Sequence, residues 1–159
     1  MTHIENIINS LLFLIQKRSS GENYEIKNLS NIIKKSGAKF PQLTIDFDNF
    51  HTEIQKEINE DLFILLVENI FENAHKYSSD KKITISLNEK SLKFNNQIEK
   101  NLSAKELKQI EEIFYQVDNS RNSQGYGLGI PMIKKIIENF GWEMKISCKN
   151  NIFEIKIIF

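Results

Sequence analysis

Leucines at helical spacing, Leu62, Leu65 and Leu66, run directly into two asparagines one turn apart, Asn69 and Asn73, and then into Lys76 and Tyr77. At about 100° per residue these seven side chains share one arc roughly 120° wide, which commits this part of the chain to an α-helix. Asn59 is a favourable cap for it, with Glu60 and Asp61 in the first turn, where acids suit the helix dipole. Glu68, Glu72 and His75 gather on a different face, so the solvated side is already taken and the asparagines are expected to point toward whatever the leucines pack on. Inward-pointing amides need partners. Neighbouring backbone would satisfy them in an ordinary core; a metal or a nucleotide would satisfy them in a site.

A second stretch has the character of an anion site. Gly125-Tyr126-Gly127-Leu128-Gly129-Ile130 leads into Pro131 and the periodic run Met132, Ile133, Ile136, Ile137 and Phe140. Proline is well tolerated in a first helical turn, so this reads as a glycine-rich loop feeding a helix N-terminus. Backbone N–H groups converge there, the dipole favours negative charge, and glycine leaves no Cβ in the way of a polyphosphate. A dinucleotide-binding fingerprint needs a strand immediately before the glycines. Here the preceding residues, Asp118 to Gln124, form a polar loop, which excludes that motif.

The remaining pattern sets the fold class. Ile4, Ile7, Ile8, Leu11, Leu14 and Ile15 are spaced for a helix over 4–18 that stops at Arg18-Ser19-Ser20-Gly21. A short strand is predicted over Tyr24 to Ile26 and a helix from Lys27 to Lys35, ending near Gly37. Leu43 to Phe47 alternates as a half-buried strand, and another short strand is predicted near Glu53 to Gln55. Ile83 to Leu87 and Leu92 to Phe94 read as a hairpin, Ala104 to about Glu112 as a helix. The last helix ends at Asn139-Phe140-Gly141, before strands Glu143 to Cys148 and Ile152 to Phe159. Paired strands with helices inserted between them predict an α+β fold: a two-layer α/β sandwich with a mixed, mostly antiparallel sheet and its helices on one face. The long irregular segment from about Phe114 to Gln124 exceeds the usual connection length, and loops of that length commonly carry function.

Composition narrows the partners. With 159 residues the chain has room for one domain plus a short appendage, and its 21 basic and 21 acidic side chains balance, leaving no basic footprint for nucleic acid. Lone Cys148 has no partner for a disulfide or a zinc cluster and reads as a small core residue. The longest apolar runs are far short of a membrane span, and the amino terminus has no signal-peptide pattern, so the chain is expected in the cytoplasm.

Taken together and in order, these stretches resemble the catalytic ATP-binding domain of sensor histidine kinases, a superfold shared with gyrase and heat-shock chaperones. The asparagine box matches Asn69-x-x-x-Asn73-Ala74-x-Lys76-Tyr77-Ser78, the phenylalanine box is similar to Phe114-Tyr115-Gln116-Val117-Asp118-x-Ser120-Arg121, and the second glycine box matches Gly125 to Gly129. Residues 1–20 resemble the end of the second dimerisation helix, and 21–159 the catalytic domain. The resemblance implies ATP and Mg²⁺ as ligands, a histidine-bearing dimerisation domain as partner, a response regulator further on, and a parent kinase that is often membrane-anchored.

By that resemblance Asn73 supplies a side-chain oxygen to Mg²⁺, with Asn69 assisting, and a neutral amide oxygen suits a hard cation that keeps waters and phosphate oxygens as its other ligands. Lys76 approaches the phosphates as a point charge, and Tyr77 packs beside adenine or ribose. Gly125, Gly127, Leu128 and Gly129 shape the phosphate loop, and Arg121 in the lid brings a cation near the terminal phosphate.

Several positions depart from the family. The first glycine box normally offers an aspartate to the adenine amino group and then two glycines; here the region is Phe94-Asn95-Asn96-Gln97-Ile98-Glu99. An asparagine accepts the same hydrogen bond more weakly, which places Asn95 at the adenine, with Asn96 as the alternative. Gln116 stands where the lid usually has arginine, and Pro131 and Trp142 replace a serine and a glycine. None of His3, His51 and His75 has the acidic neighbour and following proline of a phosphoacceptor. The expected activity is therefore transfer of the γ-phosphoryl group to a histidine supplied elsewhere. Two rivals remain: a non-catalytic nucleotide-binding or protein-interaction module, and an ATPase of the same superfold, which would need a glutamate at Asn69.

Overall fold

The computed structural model describes residues 2–15, 23–117 and 127–159. Its elements are α1 (His3–Ile15), β1 (Tyr24–Asn28), α2 (Leu29–Gly37), β2 (Thr44–Phe50), β3 (Gln55–Asn59), α3 (Glu60–Tyr77), β4 (Lys82–Leu87), β5 (Ser91–Gln97), α4 (Ala104–Gln109), α5 (Gly129–Asn139), β6 (Glu143–Lys149) and β7 (Ile152–Ile158). Five strands form one sheet in the order β2-β4-β5-β7-β6, with β2 parallel to β4 and the other neighbours antiparallel. The predicted two-layer α/β sandwich with a mixed, mostly antiparallel sheet is the observed architecture.

Period-two alternation assigns the faces. Ile83, Ile85 and Leu87 of β4, Leu92 and Phe94 of β5, and Ile155 and Ile157 of β7 point inward, into one apolar cluster with Phe63, Leu66 and Val67 of α3 and Ile133, Ile136 and Ile137 of α5. Phe71 of α3 meets Phe94 of β5 edge-on, with ring centroids 6.3 Å apart. The opposite face of the sheet is polar, carrying Thr84, Lys93, Asn95, Glu154 and Lys156 in register across β4, β5 and β7.

Several element boundaries differ from expectation, among them those of β3, α2 and α4. The strand expected near Glu53 to Gln55 lies at Gln55–Asn59 and pairs antiparallel with β1 in a separate two-stranded ribbon. Residues just before it serve as turn acceptors: the Thr52 carbonyl accepts from the Asn28 amide (2.8 Å) and the Ser30 hydroxyl (2.8 Å), and the Ile54 carbonyl from the Leu29 N–H (2.9 Å). Helix α2 begins at Leu29 rather than Lys27, because Asn28 caps it by accepting from the Asn31 N–H, while Lys27 remains in β1 opposite Lys56. The Lys27 ammonium bridges Glu25 (3.0 Å) and Glu60 (3.1 Å), which holds its pKa above the usual lysine value, Glu25 contributing most. Helix α4 stops at Gln109, short of Glu112, although its start is well fixed by a capping box between Ser103 and Glu106.

Helix α3 carries the correction that matters most. Asn59 caps it as expected, accepting from the Leu62 N–H at 3.1 Å, but its buried residues are Phe63, Leu66, Val67, Ile70, Phe71 and Ala74. That stripe is turned roughly 100° from the arc containing Asn69 and Asn73. The asparagines therefore flank the core instead of continuing it. His75 is half-buried rather than outward, its Nδ1 enclosed without a partner among the described residues. Helix α1 packs along α5, with Phe13 against the core. No helix among the described residues is long and apolar enough to cross a membrane.

Candidate functional site

The flank of α3 that carries the asparagines opens onto a cleft of about 990 Å³. Asn69, Asn73, Lys76 and Tyr77 line one side, and Gly127, Leu128 and Gly129 at the start of α5 line another. The sequence separates these two groups by a whole hairpin and a helix; packing of α3 on α5 brings them together.

The two asparagines have different tasks. The Asn69 amide nitrogen donates to the Leu65 carbonyl, one turn back, at 2.8 Å, which orients the group and leaves its oxygen as the available acceptor. The Asn73 amide nitrogen is enclosed and has no acceptor among the described residues. A buried N–H left unmade costs about 1–3 kcal/mol, so the position favours a ligand carrying oxygen acceptors. Against the same amide lies Gly129: a Cβ there would come within 3.0 Å of Asn73 Oδ1 and 3.2 Å of Nδ2. An amide oxygen and an unpaired amide N–H side by side, beside a glycine that leaves them room, fit a hydrated cation with phosphate oxygens. Among the described residues no group of three or more His, Cys, Asp or Glu gathers to hold a metal by itself. Such a cation would thus draw most of its ligands from water and phosphate.

Helix α5 starts without a side-chain cap: Leu128 stands at the cap position and offers no hydrogen-bonding side chain. Its first N–H groups remain available to an anion. Gly127 just before it has φ +70, and a Cβ there would sit 2.5 Å from the Tyr115 carbonyl oxygen, so only glycine fits. The Phe114 N–H donates to the Gly127 carbonyl at 3.1 Å, and Lys134 of α5 pairs with Glu111 at 3.4 Å. The start of the long loop is thereby pinned to α5. Arg121 and Gly125, expected in the lid and phosphate loop, lie outside the described residues.

The structure separates the two adenine candidates, Asn95 and Asn96. Asn95 does not line the cleft; it lies on the polar face of the sheet, opposite Thr84 and Glu154, with its amide oxygen enclosed and without a partner among the described residues. Asn96 lines the cleft instead, on the inward side shared with Leu92 and Phe94. Alternation along β5 separates the two asparagines, and the burial of Phe94 in the folded sheet puts Asn96 on the inward side, since residues two apart share a face. The Ser79 N–H donates to the Gln97 carbonyl at 2.9 Å, tying the end of α3 to the end of β5, which sets Asn96 on the same cleft as Tyr77. Tyr77 is 49% exposed, available to a flat ligand rather than sealed in the core. Lys76 is exposed at the rim. Sequence reasoning missed a further contribution, from Asn6, Ile7 and Ser10 of α1, which also line the cleft.

Residues 58–157 match the family described as histidine kinase-, DNA gyrase B-, and HSP90-like ATPase. Among solved structures, the nucleotide-free catalytic domain of histidine kinase ThkA superposes with a TM-score of 0.73 at 18% identity, over 86% of this chain and 94% of that one. The mycobacterial sensor histidine kinase MprB gives 0.69 at 17% identity, over 86% and 96%. Full-length ShkA in complex with AMPPNP gives 0.72 at 14% identity, over 97% of this chain and 35% of that one. No curated protein matches by sequence. The chain thus belongs to the family of histidine kinase-, DNA gyrase B- and HSP90-like ATPases, with the fold of the sensor kinases' catalytic domains.

Proposed function

We propose that this chain is the catalytic domain of a sensor histidine kinase, which transfers the γ-phosphoryl group of Mg-ATP to a histidine on a dimerisation helix, from where it passes to a response regulator. The observation that carries this reading is the Asn73 amide, enclosed with an unpaired N–H and lying against Gly129 where α5 begins uncapped. Asn73 and Asn69 would hold Mg²⁺ through their side-chain oxygens, and the bound ion would supply neutralisation of phosphate charge. Lys76 at the rim adds a point charge for the phosphates, the N–H groups at the start of α5 donate to the phosphate oxygens, and the Asn96 side-chain oxygen accepts from the adenine amino group. Arg121 is proposed as a lid cation toward the terminal phosphate. Catalysis is then positioning and charge stabilisation.

Hydrolysis is the weaker reading for this site. The superfold's ATPases use a glutamate at the position of Asn69 to activate water, and the Asn69 amide is engaged with the Leu65 carbonyl and has no basic group to offer. Titration of ATP by calorimetry, with and without Mg²⁺, tests the first half of the proposal. Radiolabelled Mg-ATP, incubated with this chain and a separately supplied histidine-bearing dimerisation domain of its parent kinase, tests the second. Acid-labile label is expected on the dimerisation domain and not on this chain. Tight Mg-ATP binding without transfer to that acceptor would establish a non-catalytic nucleotide-binding module instead.

A further inference from the structure

Helix α1 presents two opposite faces of unexpected character. Ile4, Ile8 and Leu12 lie along one side and are 68%, 49% and 47% exposed, whereas Asn6, Ile7 and Ser10 lie along the other and line the nucleotide cleft. At about 100° per residue the centres of these two faces are close to diametrically opposed. A surface helix ordinarily turns its apolar side inward and its polar side to water. Here two of the three cleft-facing side chains are polar, which a packed apolar contact would not select. They sit beside α5, the helix that α1 packs along and whose first residue touches the Asn73 amide.

We propose that α1 forms a wall of the nucleotide site, with the Asn6 amide and Ser10 hydroxyl as further polar contacts of the bound nucleotide and Ile7 closing the apolar gap between them. This rests on the ATP reading above and extends it to a segment outside the asparagine, phenylalanine and glycine boxes. It makes nucleotide affinity and the seating of α1 reciprocal: whatever draws α1 away weakens the nucleotide, and nucleotide holds α1 in place by the same factor. A movement of α1 imposed from its amino-terminal side would then be felt directly at the cleft.

Charge scanning on the full 159-residue chain separates this from a passive tether. Asn6→Glu and Ser10→Glu each aim a carboxylate into a cleft that must hold a polyphosphate and should weaken Mg-ATP by about tenfold. Ile4→Glu and Leu12→Glu place the same charge on the opposite face of the same helix and should leave affinity within about twofold. Glutamate is a good helix former, and equal thermal midpoints of the four variants without nucleotide would show that α1 is intact. Hydrogen exchange across 6–12 should slow when Mg-ATP is added to the unsubstituted chain. Equal affinities for all four variants, with no nucleotide-dependent protection of α1, would overturn the assignment while leaving the ATP site standing. Failure of the unsubstituted chain to bind Mg-ATP would overturn the ATP reading itself and this one with it.

Discussion

Gly129 lies against Asn73 so closely that one added methyl group would reach within 3.0 Å of the amide oxygen. The start of α5 and the asparagine-bearing flank of α3 are thus a single unit. Gly129→Ala should weaken Mg-ATP by about tenfold by displacing the Asn73 amide. Fold stability should hold or rise slightly, since alanine is the better helix former by up to about 1 kcal/mol. Calorimetry paired with thermal unfolding checks both; an unchanged affinity would mean the contact relaxes without consequence for the ligand.

Asn73→Ala removes an amide whose N–H is enclosed and unpaired, so the folded state loses little. The midpoint of thermal unfolding should move by only a few degrees, about 1 kcal/mol or less. Mg²⁺-dependent enhancement of ATP binding should disappear. If ATP affinity still responds to Mg²⁺ as in the unsubstituted chain, the metal is held elsewhere.

Asn96 and Asn95 stand on opposite faces of β5, and only Asn96 lines the cleft. Asn96→Ala should cost about 1 kcal/mol of ATP affinity, roughly fivefold, and reduce discrimination against GTP. Asn95→Ala should leave both unchanged. Competition binding with the two nucleotides reads the difference, and the reverse result would return the adenine contact to Asn95.

Across the polar face of the sheet, Lys93, Lys156 and Lys145 stand directly opposite one another on β5, β7 and β6. Like charges at such cross-strand positions destabilise a sheet, and opposite charges there contribute about 0.2–1 kcal/mol per pair. Lys156→Glu should therefore raise the thermal midpoint by roughly 3 °C in low salt, less in high salt, with ATP affinity unaffected. A lower midpoint in low salt would show that these ammonium groups are already separated by their long stems.

Much of the fold was legible because it is local. The cap at Asn59, the β4–β5 hairpin, the helix start at Ala104 and the helix end at Gly141, where φ is 74, all depend on residues within a few positions of each other. The order of Asn69, Asn73, Lys76, Gly127 and Gly129 along the chain, as a family pattern, also grouped them, although packing of α3 on α5 is what joins them on one cleft. What the sequence could not decide was which face each element turns to the core. Helical periodicity places Asn69 and Asn73 with Leu62 and Leu65, but it does not say that Phe63, Ile70 and Phe71 form the inner stripe; the packing of α3 against β4, α2 and α5 does. In β5, alternation separates Asn95 from Asn96 without saying which of them meets the cleft. That followed from Phe94 pairing with Ile85 and Ile155 in the buried layer, which forces Asn96 to the same side. The place of α1 beside the cleft was equally beyond local reading. Burial is a property of surfaces brought together from distant parts of the chain, so spacing determined the elements, and only their tertiary packing determined which side chains the nucleotide cleft receives.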